Sequence, residues 1–438
     1  MKKQPKVLVL SRDSWNTTNN SGNTLSNLFQ NWETLNIANI YCRDEVPNNT
    51  ICSNYYKISE SLLIKKMLGK INVAGEKHGA ISTTNSSINP EQLRLQNSER
   101  KIYDFFRKNR WHLFLWLREL LWKIVNWKSK ELEQFISDFQ PDIIYSPSYD
   151  SFYMHTLLYF VKKNSAAKVV YFHCDDLVTY RQHSYSPFYW VNRFILRKYM
   201  DKSIQLADKN YCIIDEQASV YESIYKMKFD LLYKTGTFNW QPKEKKYQQV
   251  IKIVYTGNII YGRIHTIIAI AKALKQINSN NKKAELYIYT ANTIEQKYCD
   301  ELQSTNSVQL KGKVSYDEIP NILNSADVLL HVESFEKQQK LATSLSFSTK
   351  LVDYFEASKP IFAIGWNKAA SIKYLKNNSI GTVASNPKNV IKELANLLEN
   401  QDSFEAMGNA IWQFGKERHN SNKVLTKFEN QLAELRLL

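Results

Sequence analysis

Short apolar runs rich in β-branched and aromatic residues recur along the chain, separated by helix-like stretches, and this alternation restricts the folds open to it. In the first half the runs are KVLVL at 6–10, DIIYS at 142–146, KVVYF at 168–172 and YCII at 211–214. In the second half they are IKIVYTG at 251–257, ELYIYT at 285–290, VQLKG at 308–312, DVLLHV at 327–332 and PIFAIG at 360–365. Strands that alternate with helices imply βαβ units and parallel sheets, and near-continuous apolar runs suit strands covered on both faces. The expectation is an α/β chain of two doubly wound domains. With 438 residues, 43% of them hydrophobic, each domain can bury its own core. The polar, proline-bearing segment 241–249 is the candidate linker, which sets the domains at 1–243, with insertions near 60–130, and at 244–410. The stretch 411–438 has helix-forming composition and is expected to pack back on the N-terminal domain.

Cys42, Cys52, Cys174, Cys212 and Cys299 are widely spaced, and no CxxC pair suggests a disulfide framework or a zinc site, so a reducing cytoplasm is expected. The N-terminus shows no apolar segment of signal-peptide length, and no window reaches the roughly 18 apolar residues of a membrane span. The formal charge of +16 calls for an anionic partner. Zinc-finger, RNP and basic-zipper patterns are missing, which sets nucleic acid aside in favour of phosphorylated small molecules or an anionic membrane. Residues 72–98 are Asn/Ser/Thr-rich and are expected to form a loop. The segment 107–128 is helical in composition and carries Trp111, Trp116, Trp122 and Trp127 among basic residues. Two readings stay open for it: a membrane-surface helix, and an amphipathic core helix with a solvated basic edge.

The stretch Ser344-Leu-Ser-Phe-Ser-Thr-Lys350-Leu-Val-Asp353, which runs on to Lys359-Pro360 and a strand, is the most informative one. A Ser/Thr-rich loop before a helix presents backbone N–H groups where a diphosphate is stabilised, and this places Ser348 and Thr349 for phosphate. Asp353, one turn further, is positioned to accept ribose hydroxyls. Plain helix capping by the same residues is the alternative. The run Ser348-Thr349-Lys350-Leu-Val-Asp353-Tyr354 through Lys359-Pro360 resembles the family 4 glycosyltransferases of bacterial polysaccharide assembly. That resemblance implies a GT-B fold, two Rossmann-like domains facing a cleft, with a nucleoside diphosphate sugar as co-substrate and no cofactor or metal. It also implies that Asp353 binds the donor ribose, while Ser348 and Thr349 bind the diphosphate. The family's E-x7-E signature would need an acid at 345, where this chain has Leu345, and Glu336 is the candidate for a displaced acid.

A second match, Tyr255-Thr256-Gly257-Asn258-Ile-Ile-Tyr261-Gly262-Arg263, resembles the family's Gly-rich turn after the first strand of the C-terminal domain. Gly257 and Gly262 would let the backbone approach the donor, with Asn258 between them as a further donor-binding residue. Arg263 and Lys350 would then neutralise the departing diphosphate. In the N-terminal half, Gly22 stands in a polar loop like the one that approaches the donor phosphate. Phe172-His173-Cys174-Asp175-Asp176 ends a strand, the usual ligand position in open α/β sheets. The resemblance carries contact with the donor sugar to His173, whose alternative is a structural histidine. Asp175 and Asp176 are acceptor or sugar candidates and make a poor metal site.

The resemblance thus implies retaining transfer to a glycan or lipid-linked acceptor, the latter at the inner face of the cytoplasmic membrane. The missing acid at 345 keeps a second reading open, a noncatalytic sugar-nucleotide or membrane-binding subunit. Another GT-B enzyme, such as an epimerase, is a third.

Overall fold

A computed structural model describes residues 4–17, 20–79, 112–179, 184–239 and 249–437. The N-terminal domain is built on one sheet of β1 (Val7–Ser11), β2 (Ile37–Tyr41), β3 (Tyr55–Lys57), β4 (Glu76–His78), β5 (Ile143–Pro147), β6 (Lys168–His173), β7 (Lys209–Cys212) and β8 (Asp230–Leu231). Its order is β4-β3-β2-β1-β5-β6-β7-β8, parallel except for the antiparallel β3–β4 edge. The C-terminal sheet is parallel throughout and contains β9 (Ile251–Thr256), β10 (Ala284–Tyr289), β11 (Val308–Gly312), β12 (Val328–Val332), β13 (Ile361–Ile364) and β14 (Thr382–Ala384). Its order is β11-β10-β9-β12-β13-β14. Each sheet reverses direction beside its first strand, so its topological switch point lies at β1/β5 or at β9/β12.

Every apolar run read from the sequence forms a strand. The structure adds β2, β3, β4, β8 and β14. Four of these have two or three residues, too few to show a period. In β2 the run is interrupted by Asn39, which is fully buried and donates to the Val9 carbonyl and to Ser11 Oγ, both at 3.0 Å. A polar residue survives in the sheet centre because its amide is satisfied there.

Helices begin and end where side chains meet loose backbone groups. Ser59 and Ser129 accept from Leu62 N and Leu132 N, and Gln140 at φ 50° closes the helix Lys130–Phe139. That helix buries Leu132, Phe135, Ile136 and Phe139, spaced for a single face.

Two of the tryptophans considered for a membrane are core residues. Trp122 and Trp127 are 3% and 4% exposed, and Trp122 stacks on Tyr153 with ring centroids 4.2 Å apart. Trp127 Nε1 donates to the Trp122 carbonyl. Within the helix His112–Ile124 the inward face follows the i, i+3, i+4 rule and takes Trp122 with it, while Trp116 stays 36% exposed. Trp111 lies outside the described residues, as do residues 80–98 of the polar insertion and 241–248 of the linker.

The stretch from 411 contains the end of one helix, Phe404–Arg418, and a second, Ser421–Leu435, capped by Asn420. The first packs on the C-terminal domain, where Gly415 adjoins Phe355, and it also meets Phe238 from the end of the N-terminal segment. The second crosses to the N-terminal domain, where Phe428 lies 5.5 Å from Tyr211, 6.2 Å from Phe29 and 6.3 Å from Tyr145. Among the described residues no helix is long and apolar enough to cross a membrane.

Candidate active site

Ligands of open α/β sheets bind beyond the carboxyl ends of the strands at the switch point. In the C-terminal sheet that point lies between the ends of β9 and β12, and it gathers residues from three separate stretches. β9 ends at Thr256 and turns through Gly257, whose φ of +133° only glycine adopts readily. A Cβ at Gly257 would come within 2.8 Å of Lys350 Nζ, so the ammonium lies directly over this backbone. The same Nζ donates to the Thr256 carbonyl at 3.1 Å and sits 4.5 Å from the Tyr255 ring centroid.

The turn then closes on itself. Asn258 Oδ1 accepts from Ile260 N at 2.7 Å, and the Asn258 carbonyl accepts from Tyr255 OH at 2.6 Å. Gly262, at φ 73°, opens the helix Arg263–Ile277, and a Cβ there would collide with Glu336 and Ser334. Arg263 points back across the switch point: Nε donates to the Val332 carbonyl at 3.1 Å and Nη2 to Glu333 Oε2 at 2.9 Å. Glu333, at the carboxyl end of β12, is the acid that the sequence reading missed. Its pairing is visible only once β9 and β12 are known to be neighbours.

The electrostatics follow from burial and pairing. Burial alone would raise the Glu333 carboxyl, but Arg263 and His331 hold it down to about 2. Burial, reinforced by the Arg263 charge, lowers Lys350 to about 7. Burial raises Asp353 to about 6, against the pull of Lys234. A cation and a carboxylate that both titrate near neutrality therefore lie one turn apart on the helix Lys350–Glu356.

The STK loop is anchored through its first residue. Ser348 N donates to Ser371 Oγ at 2.9 Å, so this amide already has a protein partner. Thr349 is exposed and makes no side-chain capping bond to its helix. Leu345, at the position of the expected first acid, is 6% exposed and packs within the apolar core of the N-terminal domain. Glu336 is exposed, and its Oε1 lies 3.3 Å from His265 Nε2, beside Gly262.

The N-terminal domain faces this site through the turn after β6 and the helix Asn20–Leu28. Asp176 N donates to Ser346 Oγ at 3.4 Å. Asp175 lies exposed at the same gap, with the Ser346 hydroxyl within reach of its carboxylate. Asp176 itself serves its own domain: its carboxylate accepts from Thr179 N, Thr179 Oγ1 and Tyr221 OH. An acceptor hydroxyl at Asp176 would compete with these three bonds.

His173 does not reach the cleft either. It is fully buried among Tyr171, Tyr221 and Phe229, with Nε2 3.3 Å from Asn210 Oδ1. Burial lowers it to about 3, so it is a neutral ring beneath the Cys174–Asp176 turn. Gly22 is buried against the Asn16 backbone. Its neighbour Asn23 donates to Tyr316 OH at 2.6 Å, a bond between the domains beside Asp353.

Residues 251–400 match the family model described as Glycosyl transferases group 1. No curated protein matches the chain by sequence. Among solved structures, sucrose-phosphate synthase from Thermosynechococcus elongatus is similar at a TM-score of 0.61 and 9% identity, covering 98% of this chain and 99% of that one. Anabaena HepE in complex with UDP and glucose is similar at 0.60 and 11%, covering 98% and 100%. A glycosyltransferase from Rickettsia africae is similar at 0.58 and 12%, covering 98% of each chain. At such identities the likeness concerns the fold, which is that of the GT-B enzymes.

Proposed function

We propose that the chain is a glycosyltransferase that binds a nucleoside diphosphate sugar at the β9/β12 switch point and transfers the sugar with retention. One observation carries the reading: Lys350 Nζ lies over the Gly257 backbone, beside Arg263 and one turn before Asp353. A diphosphate above Gly257 would meet Lys350 and the Arg263 guanidinium, while Asp353 would accept the ribose hydroxyls. These cations would stabilise the leaving diphosphate as its charge develops, and a donor phosphate oxygen would take the acceptor proton on the same face. HepE, which shares the fold, has been solved with UDP and with UDP-glucose, which supports a uridine donor as the first to try.

The acceptor is proposed to be a glycan or lipid-linked glycan in bacterial surface polysaccharide synthesis, as in family 4, at the inner face of the cytoplasmic membrane. A donor-binding subunit without turnover is the second reading. It is favoured by Leu345 at the place of the first acid and by His173 lying outside the cleft. Slow release of nucleoside diphosphate from UDP-, GDP- or dTDP-sugars without acceptor separates the two. Release that disappears in Lys350→Ala supports the transferase, whereas tight donor binding without release supports the subunit.

A further inference from the structure

The helix Pro187–Leu206 buries one face, with Leu196, Met200 and Ile204 in the N-terminal core. Its outer face is ordered along its length. Phe188, Trp190, Val191 and Phe194 are 65%, 51%, 47% and 62% exposed, and Lys198 and Lys202 continue the same stripe at one-turn spacing. From Phe188 to Lys202 the stripe runs about 21 Å at 1.5 Å per residue.

Trp190 Nε1 donates to the Ser184 carbonyl at 3.1 Å, so its polar atom is satisfied and the ring presents apolar surface. Lys198 Nζ lies 4.5 Å from the Phe194 ring centroid, and Lys202 Nζ 4.3 Å from that of Tyr159. We propose that this stripe docks the protein on an anionic lipid bilayer. The aromatic N-terminal half enters the headgroup boundary while Lys198 and Lys202 meet lipid phosphates.

Exposed aromatic rings continuous with lysines on one helix face suit the boundary of an anionic bilayer, where rings enter between headgroups and ammonium groups meet the phosphates. A second copy of the chain is the poorer occupant, because two chains of net charge +16 repel each other while an anionic surface attracts both. The sequence left 107–128 open between a membrane-surface helix and a core helix. There the structure buries Trp122 and Trp127 and exposes a mostly aliphatic face of Leu115, Trp116, Leu117, Leu120 and Ile124, whereas the later helix exposes three aromatic rings in line with its lysines.

The inference rests on the lipid-linked acceptor proposed above, and its test separates the two. Co-sedimentation is measured with vesicles of phosphatidylcholine alone and with phosphatidylglycerol added, at low and high salt, together with donor affinity and light scattering. The parent should bind the anionic vesicles only, and less in salt. Phe188→Ser/Trp190→Ser/Phe194→Ser should weaken that binding about tenfold or more with donor affinity unchanged. Lys198→Glu/Lys202→Glu, on the solvent face, should do the same and serves if the first variant misfolds. A parent that ignores anionic vesicles overturns the proposal, as does binding undiminished in both variants. A parent dimer that the apolar variant makes monomeric assigns the stripe to a second copy and overturns it equally. Vesicle binding as expected with no sugar transfer would instead count against the transferase.

Discussion

Arg263 and Glu333 form a buried pair, with side chains 19% and 3% exposed, and this decides how the arginine should be tested. Removing Arg263 leaves the buried Glu333 with His331 as its remaining charge partner, so Arg263→Ala should lose about 3 kcal/mol of stability as well as turnover. Arg263→Gln/Glu333→Gln should recover most of that stability, measured by denaturant unfolding, while turnover stays about 10²–10³-fold down. Normal turnover in the folded double variant would remove Arg263 from the chemistry.

Lys350 and Asp353 give a pH dependence with a definite sign. Donor binding needs Asp353 ionised, which happens as pH rises through about 6. It also needs Lys350 protonated, which in the free protein is lost as pH rises through about 7. Affinity for a sugar nucleotide should therefore peak between these values. Asp353→Asn should abolish the acid limb, and Lys350→Arg should move the alkaline limb upward. Titration calorimetry across pH 5 to about 9 reads both limbs, and a flat profile would rule out these two groups.

At the scale of elements, the tryptophans of His112–Ile124 and the segment after it separate by face. Trp122→Ala opens a cavity against Tyr153 and should cost about 3–5 kcal/mol. Trp116→Ser, at the surface, should change unfolding by about 0.5 kcal/mol or less. Equal effects would mean that the helix is rotated from its place here. The sequence alone left this helix undecided because its composition shows an apolar stripe but not which element covers it.

The long strands were legible because runs such as Ile361–Ile364 are apolar without a break. The short strands β3, β4 and β8 at the margins of the sheet were not, since they owe their pairing to neighbours rather than to any period. The same contrast runs through the site. The Gly257–Arg263 turn and the Ser348–Asp353 stretch are contiguous and could be read directly. Glu333, and the bond from Asn23 to Tyr316, exist only after folding. His173 misled because a strand end marks a candidate position without saying which way the ring turns. Here it turns into the core.

Over the whole molecule, the C-terminal sheet supplies the cations and Asp353, and the N-terminal domain closes the other wall through Asp175, Asn23 and the core that receives Leu345. The helix Ser421–Leu435 ties the chain end to the N-terminal domain, which keeps the two walls part of one structure. The central claim is that this arrangement holds a nucleoside diphosphate against Lys350 and Asp353. Its most direct test is calorimetric binding of UDP, GDP and dTDP to the parent, Lys350→Ala and Asp353→Ala, each checked for an unchanged thermal transition. One nucleotide should bind the parent, and each substitution should weaken it about tenfold or more through loss of a charge-assisted contact. A folded parent that binds none of them, or binding that both variants retain, would contradict the account.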